Sequence, residues 1–156
     1  MINQPSAESR ADREIVSARV FDAPREKVFE AFRDPLQLVQ WWGPKDFTNT
    51  IHEFDLRPGG KWRITLHAPN GANYPNDKVF VEVVPPERVV FDHLEPMHHF
   101  RMMLLLADQR GKTHVTWHML FESAAEVAKL KNFILEANEQ NFDRLAAHLS
   151  KVPGRK

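Results

Sequence analysis

The pattern of apolar and polar residues predicts one long amphipathic helix near the end of the chain. Residues 123–149 contain neither Gly nor Pro. At about 100° per residue, one face collects apolar side chains and a single amide: Val127, Leu130, Ile134, Ala137, Asn141 and Leu145. A helix of this length spans roughly 39 Å, so its apolar face must be covered by other elements of a whole domain.

The segments before this helix are typical of strands, because they alternate apolar and polar residues or are rich in β-branched ones. The pattern predicts seven strands, at residues 14–21, 48–57, 61–67, 78–84, 88–94, 99–107 and 113–122. The breaks between the last six contain Gly, Pro, Asn or Asp, and short connections favour antiparallel neighbours.

Two short helices are predicted between the first and second strands. Asp22 is an N-cap candidate and Pro24 suits a first turn, and Asp34 with Pro35 repeats the same arrangement. The second helix is predicted to run to about Gln40 and to end before a Gly-Pro pair.

The predicted order of strand, two short helices, six strands and long helix indicates an α+β fold. Its curved antiparallel sheet wraps around the C-terminal helix. Strand parity places one apolar set toward the helix, and the wide end of such a sheet is the default place for an apolar cavity. The predicted lining is Trp62, Ile64, Phe91, Met102, Leu104, Val115, Trp117, Ile134 and Asn138.

Bulk composition narrows the function classes. The 156 residues suggest a single domain over 1–156 with an ordered core at about 13–150. Basic and acidic residues both number 21, and without a basic stripe we expect no nucleic-acid partner. The polar N-terminus, the lack of cysteine and the short apolar runs predict a soluble cytoplasmic protein without a membrane span.

The eight histidines raise the question of a metal site. His114 and His118 are four residues apart on a predicted strand, so they lie roughly 13 Å apart, too far to share one ion. Nothing in the sequence shows other histidines converging with carboxylates. We therefore predict no metal and no cofactor.

Acid–base chemistry has two scattered candidates, His93 and Glu82. His93 shares parity with Phe91, so it either faces the cavity as a hydrogen-bonding group or base, or is a core histidine satisfied by a backbone group. Glu82 is either an inward carboxylate or a structural partner of Arg101 or Arg63. No catalytic residue is assigned.

Two kinds of side chain suit a ligand of mixed polarity. Asn141, at the centre of the apolar face, needs a partner because a buried unpaired amide is costly. A sheet group, an ordered water and the polar end of a ligand all remain open, and Asn138 lies at the edge of the same face. Trp41 and its neighbour Trp42 either stack on a planar ligand or pack the short helices onto the cavity mouth.

Five runs of sequence resemble a known family. They are F-D-A-P-R-E-K-V-F-E-A-F at 21–32, W-W-G-P at 41–44, D-L-R-P-G-G-K-W at 55–62, E-V-V-P-P-E-R-V-V-F at 82–91 and F-D-R-L-A-A-H-L at 142–149. In this order and spacing they resemble the family named after the C-terminal domain of the activator of the heat-shock protein 90 ATPase. That family belongs to the START-like, pollen-allergen-like helix-grip superfamily, also called SRPBCC. The resemblance covers residues 14–150 and implies a curved sheet gripping the last helix around a hydrophobic cavity.

The resemblance implies little about chemistry, because the superfamily includes lipid carriers, hormone receptors, polyketide cyclases and chaperone regulators. We expect non-enzymatic binding of a small hydrophobic or aromatic molecule. The alternatives are a cyclase- or hydrolase-like enzyme and a chaperone-regulating interaction module of the stress response. Many relatives carry Gly-Trp where this chain has Ala137-Asn138, which predicts a larger or more polar cavity. A homodimer stays open.

Overall fold

The computed structural model describes residues 10–95 and 99–151 of the chain. A 3-10 turn, Arg10–Arg13, leads into the elements β1 Glu14–Phe21, α1 Arg25–Arg33, α2 Pro35–Trp41, β2 Thr48–Phe54, β3 Lys61–His67, β4 Asn73–Val84, β5 Arg88–Glu95, β6 Phe100–Gln109, β7 Lys112–Phe121 and α3 Ala124–Lys151. The predicted element order is confirmed.

All seven strands form one antiparallel sheet in the order β1-β7-β6-β5-β4-β3-β2. Strands β2 to β7 form a meander, and β1 returns to pair with β7. The curved sheet holds α3 and the two short helices against its concave face, which is the predicted helix-grip fold. Arg19 of β1 reaches α3 through ion pairs of 2.7 Å to Glu139 and 2.9 Å to Asp143.

Strand β4 begins at Asn73, five residues earlier than predicted, and includes Pro75. The sequence predicts a loop through Pro75, Asn76 and Asp77, because these residue types are typical of turns. In the structure this part of β4 pairs with β3, and among the described residues its pairing with β5 reaches Asp77. A strand accommodates proline where no ladder hydrogen bond is required from its nitrogen.

The turn between β6 and β7 is tighter than predicted. The loop expected at 108–112 shrinks to Arg110 and Gly111, both with positive φ, 55° and 85°. Two such residues are typical of a type I′ hairpin, whose twist matches that of the flanking strands. The strands therefore continue through the pair Gln109 and Lys112.

Two of the three described α-helices have a side-chain cap at their N-terminus. The side chain of Asp34 accepts a hydrogen bond from the Leu36 amide at 3.0 Å at the start of α2. The Ser123 hydroxyl accepts from the Glu126 amide at 3.1 Å at the start of α3. Asp22 is not the N-cap of α1, because Pro24 occupies the cap position in an extended conformation and the helix begins one residue later.

Aromatic rings fill the middle of the concave face. The Trp62 ring is stacked on Phe80 with a centroid distance of 6.0 Å and meets the edge of Phe91 at 5.2 Å. Trp42 places its ring 4.9 Å from that of Trp62 and 5.4 Å from that of Trp117. This cluster joins the short helices to the sheet and divides the concave face into two ends.

Candidate functional site

Most residues predicted to line a cavity share the concave face and are buried there: Trp62, Ile64, Phe91, Met102, Leu104, Val115 and Trp117. Ile134 of α3 is partly buried against the same core. The face assignment from strand parity is thus seen in the structure, while the proposed contact of these residues with a ligand stays a prediction.

A small pocket of about 20 Å³ lies between α1, Trp41, Leu145 and the strands β5, β6 and β7. Three of these predicted residues, Leu104, Val115 and Trp117, belong to its wall. A space of this size holds about one water molecule. This pocket is therefore too small for an organic ligand in the conformation described.

Packing of the two adjacent tryptophans explains why so little space is left here. The Trp41 indole donates to the Ala31 carbonyl at 2.9 Å, which fixes α2 against α1. Trp42 instead turns into the core, where its ring meets Phe32 at 6.0 Å as well as the two sheet tryptophans. The sequence predicted that both tryptophans either stack on a planar ligand or pack the short helices onto the cavity mouth. It did not assign different roles to the two side chains.

Asn141 is hydrogen-bonded to the segment that follows α2. Its Nδ2 donates to the Trp41 carbonyl at 2.7 Å, and its Oδ1 accepts from the Gly43 amide at 3.1 Å. Asn138 donates to the Ser17 hydroxyl at 3.1 Å and lies 3.6 Å from the sulfur of Met119. These bonds engage both ends of the Asn141 amide and the Nδ2 of Asn138 without a ligand, and the role of the two residues as ligand contacts stays a prediction.

A larger pocket of about 290 Å³ lies at the ends of β5, β6 and β7. Its lining is Arg13, Asp92, His93, Leu94, His99, Phe100, Arg101, Leu120, Phe121 and Glu122. The volume is close to the lower end of the range for small-molecule sites, about 300–1,000 Å³. His93 is the one residue of this set that the sequence predicted as a ligand contact, because the pocket forms where strand ends meet and not along the helix.

The pocket combines an aromatic wall with a charged rim. The His93 ring is stacked on Phe100 at 4.7 Å, and Phe100 lies 5.0 Å from Phe121. On the rim, Arg101 pairs with Asp92 at 2.8 Å, which raises the pKa of Arg101. Such a site accommodates a planar or apolar body with a polar end.

The two acid–base candidates do not form a catalytic pair. His93 is 8% exposed, and its Nε2 lies 2.8 Å from Oδ1 of the Asn76 side-chain amide. Glu82 is bonded through both oxygens to Arg88, not to Arg101 or Arg63. These hydrogen bonds lower the pKa of Glu82, which keeps it an ionised structural carboxylate.

Sequence reasoning missed Lys78, which is only 4% exposed. It pairs across the sheet with Trp62 of β3 and with His93 of β5, and His93 pairs in turn with Phe100. Phe100 pairs with Phe121 of β7, so five side chains form one continuous row across the concave face, from Trp62 to Phe121. Lys78 was detectable from the sequence, because it shares parity with the buried Phe80.

The electrostatics of Lys78 are unusual for a lysine. Its Nζ lies 4.1 Å from the centroid of the Trp62 ring, and no described residue accepts a hydrogen bond from it. Burial lowers its pKa from the ordinary 10.5 to about 7, against the opposing effect of Asp77. The Trp62 indole nitrogen is also buried without an acceptor among the described residues.

Comparisons with known proteins give a family and a fold. The family model described as Activator of Hsp90 ATPase homolog 1-like protein matches residues 22–150. No curated protein matches the sequence significantly. Within the described residues, no helix has the length and hydrophobicity needed to cross a membrane.

Solved structures of similar proteins share the architecture. A protein from Nitrosomonas europaea has a TM-score of 0.81 at 19% identity, with 90% of this chain and 96% of that chain covered. One from Arthrobacter aurescens has a TM-score of 0.84 at 22% identity, covering 94% and 91%. One from Chromobacterium violaceum has a TM-score of 0.75 at 27% identity, covering 86% and 95%. These similarities show the shared fold and no particular activity.

Proposed function

Since the chain belongs to the family of activator of Hsp90 ATPase homolog 1-like proteins, we propose that it binds a small hydrophobic or aromatic molecule without transforming it. The observation that supports this function is the pocket of about 290 Å³ with a wall of His93, Phe100 and Phe121. Stacking on these rings supplies affinity for a planar apolar body.

We place the site at the end of the concave face, where this pocket meets the row from Trp62 to Phe121. The prediction from sequence put it along α3, between the helix and the sheet. Trp42 and its neighbouring rings occupy the middle of that space, and the pocket beside α1 measures about 20 Å³. In this proposal, the other residues that the sequence predicted as cavity lining belong to the packed core next to the pocket, behind the ligand.

The alternatives have weaker support. An enzyme needs convergent titratable groups, and His93 and Glu82 are each bonded to a different partner. A chaperone-regulating role rests on the name of the family alone. Cytoplasmic location and a homodimer stay predictions from the sequence.

A titration with the neutral fluorescent naphthalene prodan tests the binding function. We expect saturable binding with a blue shift of emission, because the probe leaves water for an apolar site. Phe100→Ala removes the ring between His93 and Phe121 and should weaken binding about fivefold to tenfold, the worth of one aromatic contact. Phe100→Leu keeps most of the apolar volume, so its prodan affinity should lie between those of the wild type and Phe100→Ala.

Phe133→Ala is the matched control, because that phenylalanine lies on α3 with 73% exposure and away from the pocket lining. It should leave prodan affinity unchanged. If Phe133→Ala abolishes prodan binding and Phe100→Ala leaves it intact, the probe binds on the exposed surface of α3. The proposed site would then be wrong. Thermal melts of each variant separate lost affinity from lost folding.

A further inference from the structure

Lys78 and Trp62 present two buried hydrogen-bond donors at one place in the core. The Lys78 ammonium lies over the Trp62 ring at 4.1 Å, and neither Nζ nor the indole Nε1 has an acceptor among the described residues. The indole N–H is always a donor, and a protonated Lys78 offers only donors and no acceptor. Buried donors of this kind are costly unless they are paired, so the partner that suits the place is an acceptor.

We propose that Lys78, with the indole N–H of Trp62, anchors the carboxylate of an apolar or aromatic acid whose body lies in the pocket at the ends of β5, β6 and β7. This inference rests on the proposed binding function and names the chemical class of its ligand. A carboxylate has two acceptor oxygens and carries the charge that an ammonium requires. A neutral alcohol or hydrocarbon satisfies the ammonium less well.

The row of paired side chains connects the anchor to the pocket. His93 lies between Lys78 on one side and Phe100 on the other, each one strand away. Neighbouring strands are about 5 Å apart, so a short acid in the pocket reaches the ammonium if the His93 ring turns aside. Binding at the anchor therefore breaks the contact of 2.8 Å between His93 Nε2 and Oδ1 of Asn76 and the stacking of His93 on Phe100.

The charge state of Lys78 makes the anchor sensitive to pH. Among the described side chains, the titratable or charged groups nearest to it on the neighbouring elements are Asp77 on its own strand, His93 on β5, and Arg63 of β3, which lies 3.6 Å from Asp77. Burial lowers the pKa of Lys78 to about 7, so the free amine is partly neutral near neutral pH. A carboxylate favours the protonated form, so its binding above that pKa takes up a proton.

The test compares 2-naphthoate with the neutral 2-naphthalenemethanol by isothermal titration calorimetry. At about pH 6, the protein should bind the naphthoate at least about tenfold more tightly than the alcohol, because a charge-assisted bond is added. Above about pH 7 that advantage should fall by up to about tenfold per pH unit, whereas alcohol binding should not change. Titrations in buffers of different ionisation enthalpy should show uptake of about 0.5–1 proton per naphthoate near pH 7.5.

Lys78→Met replaces the ammonium with an apolar chain of similar length and should abolish both the preference and the proton uptake. Lys61→Met, at an exposed position of β3, is the matched control and should keep both. Equal binding of acid and alcohol, or a preference that survives Lys78→Met, overturns the anchor and leaves the binding function standing. If neither naphthalene binds the wild-type protein, the anchor and the proposed function both fail.

Discussion

Replacing Asn141 with leucine removes the link between α3 and the end of α2. Asn141 is 5% exposed and bonds the Trp41 carbonyl at 2.7 Å and the Gly43 amide at 3.1 Å. Leucine has nearly the same size but neither donor nor acceptor. The substitution therefore leaves one backbone carbonyl of the last turn of α2 and one backbone N–H buried without their partner.

The expected loss follows from these two groups. Each buried backbone group left unsatisfied costs about 1–3 kcal/mol, and the added apolar side chain offsets part of this. We expect the free energy of unfolding to fall by about 2–4 kcal/mol. For a domain of this size that corresponds to a decrease in Tm of roughly 10 °C.

Urea denaturation followed by circular dichroism, together with a thermal melt, measures this loss. Asn132→Leu is the matched control, because Asn132 is an exposed asparagine on the same helix, and its change should stay within about 0.5 kcal/mol. An Asn141→Leu protein as stable as the wild type would refute the structural role. It would instead support an amide that faces a cavity or a ligand.

Three further changes test other parts of the fold. In Lys78→Met, stability at pH 7 should exceed that of the wild type, since burial lowers the pKa of Lys78 from 10.5 to about 7. The unfolded wild type binds more protons between these values, so its stability should rise there by up to about 1.4 kcal/mol per pH unit and approach that of the variant, as denaturant titrations at several pH values would show. Ser123→Ala removes the cap bond of 3.1 Å at the start of α3 and should cost about 0.5–2 kcal/mol in a urea melt. Gly43→Ala should cost about 1–3 kcal/mol in the same assay, because its φ is +114°, a conformation that residues with a Cβ rarely adopt; unchanged midpoints would contradict either expectation.

The fold was predictable because the apolar residues of most elements recur with the period of a helix or of a strand. Alternation along β7 separates Val115 and Trp117 from His114 and His118, and the structure buries the first pair more deeply. The errors came where pairing decides the outcome. Pro75 belongs to β4 through its pairing with Thr65 of β3, and no local pattern contains that information.

The candidate site was less predictable than the fold. Strand parity identified the inward residues but not the space left between them, which depends on how Trp42 turns into the core. The sequence identifies Asn141 as an amide in need of a partner, yet its partners, Trp41 at the end of α2 and Gly43 just after it, lie about 100 residues earlier along the chain. Lys78 was missed because a lysine between valine and aspartate reads as a surface residue unless the parity of Phe80 is extended to it.

The most direct test of the account is a map of where a neutral aromatic molecule binds. Backbone amide shifts of the labelled protein, followed by NMR during a titration with 2-naphthalenemethanol, report the site residue by residue. We predict that the largest shifts come from His93, Phe100 and Phe121 at the ends of β5, β6 and β7. Shifts centred instead on Val28 and Leu145 beside the small pocket, or no shifts at saturating concentration, would contradict it.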